Sequence, residues 1–127
     1  MLEVRFNILN KYVDKFVVAE AKYSHSGEKK KLNFDIKKFS EFNKKIIYLI
    51  VDNEPSDVIY QNSKDDSVES KSEMRTNSIK RIAWQRNKLM DCLNEANDED
   101  YIFYSDNDEI PNFENFDFET NNKKILI

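Results

Sequence analysis

Several residue types are nearly missing from this chain, and each scarcity closes a class of function. One glycine, Gly27, occurs in 127 residues. Neither a phosphate-cradling P-loop nor a Gly-x-Gly dinucleotide fingerprint can be built from it. One cysteine, Cys92, leaves no intramolecular disulfide. One cysteine with one histidine also excludes a Cys/His zinc site. Any metal must therefore be held by oxygen ligands, which points to a hard cation such as Mg2+, Mn2+ or Ca2+. With two prolines and one glycine, a collagen-like composition is excluded. No apolar run approaches the ~20 residues that cross a bilayer, so no membrane segment is expected here. The start, Met1-Leu2-Glu3-Val4-Arg5, lacks a basic region followed by an apolar core. With no signal peptide visible, the default location is cytoplasmic. Excess positive charge is missing too: 20 basic against 24 acidic residues give a net charge of -4, which argues against a nucleic-acid partner.

What is present can build a core. Hydrophobic residues make up 39% of the chain, with nine Phe and six Tyr, which argues against wholesale disorder. Charged residues reach 35%, as in a small, surface-rich domain or a piece of a larger protein. The length fits one domain or part of one, since domains run roughly 100–150 residues.

Three apolar runs read as strands: Phe16-Val17-Val18-Ala19, Ile46-Ile47-Tyr48-Leu49-Ile50-Val51 and Tyr101-Ile102-Phe103-Tyr104. They are short, continuous and β-branched or aromatic, the pattern of strands buried on both faces of a parallel sheet. Helical patterns lie between them. Leu2, Arg5, Phe6 and Leu9 recur at helical spacing over residues 2–11. Asp35 can cap a short helix bearing Ile36, Phe39 and Phe42 on one side. The clearest helix is predicted over residues 79–96, where Ile79, Ile82, Ala83, Leu89, Met90, Leu93 and Ala96 make a stripe of period near 3.6. Thr76, Asn77 and Ser78 are its candidate caps. Alternation of helix and strand argues for an α/β fold with right-handed crossovers. Two stretches depart from it. Residues 22–33 are polar and basic. Residues 53–76 are acidic and serine-rich and read as a flexible polar loop, with Val58, Ile59 and Tyr60 as an apolar knot. Ile125-Leu126-Ile127 looks like the start of a fourth strand, which makes the chain read as one partial domain over residues 1–127.

Each strand is followed by a carboxylate: Glu20, Asp52 and Asp106. Ligands of open α/β sheets bind beyond the carboxyl ends of the strands, so these residues are expected to face one crevice. Acidic residues also serve as ordinary turn residues, and both readings stand for Glu20 and Asp52. The third cluster, Ser105-Asp106-Asn107-Asp108-Glu109-Ile110-Pro111, is sharper. Three carboxylates within four residues repel one another unless a cation neutralises them. Mg2+ or Mn2+ takes one or two protein carboxylates and completes its shell with phosphate oxygens and water. The competing reading is an acidic surface turn. A calcium-binding EF-hand loop needs Gly at its sixth and Glu at its twelfth position, where this chain has Pro111 and Asp117. A phosphohydrolase using Asp106 as nucleophile is a better rival.

Ile82, Arg86, Leu89 and Leu93 share one helical face, which sets a guanidinium inside the apolar stripe. Arginine is rarely buried unless paired. Arg86 either pairs with a strand-end carboxylate or reaches a phosphate bidentately, and Arg81 can do the same. Trp84 reads as a partly buried packing residue. Cys92 reads as an inert helix residue whose thiol pKa is raised by Asp91 and Glu95.

Taken together, Leu2-Glu3-Val4-Arg5, Val13-Asp14-Lys15-Phe16-Val17-Val18-Ala19-Glu20, Ser26-Gly27-Glu28-Lys29-Lys30, Lys45-Ile46-Ile47-Tyr48, Trp84-Gln85-Arg86-Asn87 and Tyr104-Ser105-Asp106-Asn107-Asp108-Glu109-Ile110-Pro111 resemble glycosyltransferase family 17. That is the family of the bisecting β-1,4-N-acetylglucosaminyltransferase of N-glycans. The resemblance implies a GT-A-type, Rossmann-like and mostly parallel sheet with flanking helices, incomplete in this chain. It implies a UDP-sugar donor, N-acetylglucosamine among the candidates, a glycan acceptor, and inverting transfer assisted by Mn2+ or Mg2+. Asp106 and Asp108 match the family's Asp-x-Asp. Asp108 would ligate the metal, and Asp106 would contact the donor or the metal. Glu109 would support the turn, with Asp52 in a similar supporting place. Arg86, Arg81 and Glu20 would lie on the donor side. The family's Thr-x-Thr-Gly loop reads Ser24-His25-Ser26-Gly27 here, a departure. The acceptor half and the catalytic base are expected outside this chain. A phosphohydrolase, or a non-catalytic remnant or interaction domain, remains the alternative.

Overall fold

Leu2, Phe6 and Leu9 recur every three or four residues, and the first element is the α-helix Leu2–Leu9 (α1). The computed structural model describes residues 1–59, 67–117 and 124–126. After α1 come the strand Phe16–Ala21 (β1), a 3-10 helix Ile36–Phe42 and the strand Ile46–Val51 (β2). The long helix Val68–Lys88 (α2) runs into a 3-10 helix Leu89–Glu95. The strands Asp100–Ile102 (β3) and Lys124–Leu126 (β4) complete the order. Each apolar run meets a strand, but only β2 has the expected ends: β1 continues to Ala21, β3 takes in Tyr101 and Ile102 but not Phe103 or Tyr104, and β4 starts at Lys124. No helix among the described residues is long and apolar enough to cross a membrane.

The fold is α/β. β3 and β4 pair in parallel, with Tyr101 opposite Ile125. β1 pairs with β2. The Phe16 N–H donates to Lys45 O at 2.8 Å and the Lys22 N–H to Val51 O at 2.9 Å. The sequence offset is the same at both ends, as in a parallel ladder. The strands do not share one sheet: among the described residues they form two two-stranded sheets. Burial of both faces is also corrected: Ala19 in the first run and Ile50 in the second are exposed, and the third run departs furthest. Ile102 and Tyr104 are exposed while Tyr101 and Phe103 are half-buried. Side chains alternate across a strand, so a short strand packed on one face leaves every second residue outside.

Two compact units divide the chain. The first comprises Met1–Val18, Asp35–Tyr48 and Leu93–Ile127, the second Ala19–Phe34 and Leu49–Cys92. The first has an aromatic core. Phe6, Leu9 and Phe16 are almost wholly buried. The Phe6 ring lies 4.7 Å from Phe16, 5.1 Å from Phe39 and 5.5 Å from Phe42. A second aromatic group joins Phe103 to Phe113 at 4.7 Å and to Phe116 at 5.6 Å. Asp35 caps as expected, accepting the Lys37 N–H at 3.1 Å, but the helix it starts is 3-10. The backbone leaves helical geometry at Phe39 (φ -120, ψ 39) and Ile36 is exposed, so the three residues do not line one side of a single helix.

The second unit holds itself together differently. α2 starts at Val68, capped by Ser67, whose hydroxyl accepts the Ser70 N–H at 3.1 Å. Residues 68–76, expected as loop, are therefore helical. Ser67 with Glu69 in the first turn is a sound start signal, and the apolar stripe further on masked it. Tyr60 of the expected apolar knot lies outside the described residues. The expected stripe is not the buried face: Ile79 and Met90 are exposed, whereas Ser70, Asn77 and Arg81 are buried. The cause is what faces them. Asn77 Nδ2 donates to Ile59 O at 2.7 Å, and its Oδ1 accepts the Ile59 N–H at 3.0 Å. A loop backbone demands polar partners, and the helix supplies them.

Candidate functional site

The acidic cluster is a closed β-turn in the first unit. The Glu109 N–H donates to Asp106 O at 3.0 Å. The Glu109 carboxylate reaches back to the Asp106 N–H at 3.2 Å. This reciprocal pair makes Glu109 a brace of the turn. Tyr104 Oη donates to Asp106 Oδ1 at 3.3 Å. The Asp108 side chain is exposed at the turn tip.

Beneath the turn lies a residue that sequence reasoning left in the background. Arg5, on α1, is buried. Its Nη1 donates to Asp106 O at 3.2 Å and to Glu109 O, and its Nη2 to Ser105 Oγ at 2.6 Å. Burial holds its pKa below the ordinary guanidinium value, and the Glu109 charge pulls it back up. The signal for Arg5 was available: a cation inside the Leu2, Phe6, Leu9 face must be paired if that face is buried.

In the second unit, Glu20 proves to be a loop clamp. Its Oε1 accepts the Asn33 N–H at 2.8 Å and its Oε2 the Phe34 N–H at 3.0 Å. Lys30 Nζ adds an ion pair at 3.5 Å. Asp52 is exposed after β2. The buried arginine of α2 is Arg81, while Arg86, expected inside the stripe, is exposed. Arg81 Nε donates to Glu54 Oε1, and its Nη1 to His25 O at 3.2 Å. Trp84 is half-buried and Nε1 donates to Asn53 O at 3.0 Å. Burial first, then the Asp91 charge, pushes the Cys92 thiol up, an order the sequence did not reveal.

Gly27 belongs to the Arg81 arrangement. It sits at φ 89, and a Cβ built there would lie 2.5 Å from Arg81 Nη2 and 2.7 Å from its Cζ. The turn from Ser24 to Glu28 thus needs glycine both for its backbone and for the approach of the guanidinium. Gly27→Ala is expected to cost about 1–3 kcal/mol in urea unfolding, the scale of a side chain forced into that conformation. A change below about 0.5 kcal/mol, the ordinary surface range, would refute this account.

Asp106 and Asp108 can offer a cation two carboxylates. Among the described residues no three His, Cys, Asp or Glu side chains are grouped to hold a metal. Two carboxylates would not make an all-protein cage; they are the number that a hard divalent ion takes when phosphate oxygens and water complete its shell.

A family model matches the chain over residues 1–121, and its description is glycosyltransferase family 17. Comparison with curated proteins and with solved structures found no match. The matched range spans the Arg5 helix, both strands of the first sheet, the Gly27 turn and the whole Asp106–Glu109 turn. By that match the chain belongs to glycosyltransferase family 17.

Proposed function

We propose that this chain supplies the donor-binding part of a metal-dependent, inverting glycosyltransferase with a GT-A-type fold. The donor in this reading is a UDP-sugar, with N-acetylglucosamine as the first sugar to test, and the acceptor is a glycan hydroxyl. One observation carries it: in a family 17 chain, the Asp-Asn-Asp-Glu segment is a closed turn in which both aspartates are exposed. Asp106 and Asp108 would hold the cation, Mn2+ or Mg2+. Such an ion supplies charge neutralisation for a departing diphosphate. Glu109 keeps the turn closed. Glu20 and Arg81 hold loops in this reading, and Arg86 keeps the donor-contact role. Inversion also calls for a carboxylate base to take the acceptor proton, and this reading assigns none within the chain.

Calorimetric titration of the chain with UDP-N-acetylglucosamine, with and without MnCl2, tests the proposal. Cation-dependent binding is expected. Asp108→Ala should weaken it by about 100-fold, on the scale of lost metal-site contacts, while leaving the circular dichroism unchanged. Binding that ignores both the cation and Asp108 would refute the reading. Phosphate release from a generic ester, abolished in Asp106→Asn, would favour the phosphohydrolase instead.

A further inference from the structure

We infer that Arg5 is a positioning residue for the acidic turn: its guanidinium fixes the turn backbone from below, so that Asp106 and Asp108 are presented together to a divalent cation. The inference rests on the proposed role of those two aspartates and adds the element that orients them.

The geometry is specific. A single planar fork engages the backbone at both ends of the turn, Asp106 O and Glu109 O, and the hydroxyl of Ser105 just before it. All three acceptors are neutral oxygens. The cation therefore anchors the turn without consuming either aspartate carboxylate. The guanidinium also interacts favourably with the Glu109 charge that closes the turn. The anchor is itself held by the core: on α1, Phe6 packs against Phe16, Phe39 and Phe42, and Leu9 is fully buried. Position thus passes from core to helix, from helix to guanidinium and from guanidinium to turn. Lysine cannot reproduce it: a point charge on a flexible stem does not span three acceptors in a fixed plane.

Three variants of the full chain test this: Arg5→Lys, Arg5→Met and Ser105→Ala. Two quantities are read. One is Mn2+ affinity, from the free-Mn2+ signal in electron paramagnetic resonance with UDP present. The other is amide exchange at Asp106 and Glu109 in metal-free protein. Arg5→Met is expected to weaken Mn2+ binding by about 10- to 100-fold, as removal of a ligand's supporting contact does. Exchange at the two turn amides should rise about tenfold as that segment opens locally. Arg5→Lys should lose affinity while still folding, and Ser105→Ala should lose less. If Arg5→Met fails to fold, the lysine and Ser105 variants decide. Wild-type chain that takes up no Mn2+ overturns the cation reading and the inference together. Wild-type uptake matched by Arg5→Lys and Ser105→Ala overturns the inference alone. A lowered Tm with unchanged turn exchange and Mn2+ affinity makes Arg5 a merely structural residue and also overturns it.

Discussion

Phe6→Ala is expected to lower the unfolding free energy by about 3–5 kcal/mol, the upper range for deleting a buried aromatic ring. Phe6 is 1% exposed and stands at the centre of three rings, Phe16, Phe39 and Phe42. Its removal deletes the transfer energy of the ring and leaves a cavity. The neighbouring rings come from β1 and the 3-10 helix, so no single shift can fill the space. Such a loss approaches the whole stability of a small domain, about 5–15 kcal/mol. Phe6→Leu is therefore the practical companion, expected to cost clearly less than the alanine change because it retains most of the buried volume. Urea unfolding with an unchanged m value is the measurement. Near-equal stabilities for wild type and Phe6→Ala would show that the aromatic cluster is not the core. Because α1 also carries Arg5, amide exchange at Asp106 and Glu109 should rise in Phe6→Ala.

The second large effect is expected at Arg81. Its side chain is 8% exposed and that of its partner Glu54 15%. Glu54→Ala leaves a guanidinium among buried groups with only His25 O as a further acceptor among its described hydrogen bonds. Breaking a buried ion pair from one side costs about 3–5 kcal/mol, most of it the penalty of the stranded charge. The residual exposure of both partners puts the expectation at the lower end. Replacing both, Glu54→Leu with Arg81→Met, should recover part of the loss, since no charge then remains to be desolvated. A double variant as unstable as the sum of the two single ones would mean that the pair does not act as a unit.

Much of the secondary structure was legible because it is local. Leu2, Phe6 and Leu9 declare α1, and the residues of 46–51 form a strand with the expected ends. Asp35 caps the helix it was expected to cap. The errors share a cause as well. The apolar stripe from Ile79 predicts a buried face, because apolar periodicity is the ordinary signal of one. In α2 the buried face is Ser70, Asn77 and Arg81, chosen by a loop backbone and a carboxylate that face it. Ile36, Phe39 and Phe42 predict one side of one helix, but the backbone kinks at Phe39 and Ile36 stays exposed.

The amino-acid sequence by itself determined the α/β class, the approximate strand positions and the family. These depend on residue type and short-range spacing. Tertiary structure alone decided which arginines are buried. Arg5 and Arg81 are, and Arg86 is not. It also decided that Glu20 clamps a loop and that Arg5 underlies a turn 101 residues away. The physical reason is desolvation: a guanidinium leaves water only where fixed acceptors replace it, and those acceptors are assembled by contacts between distant parts of the chain.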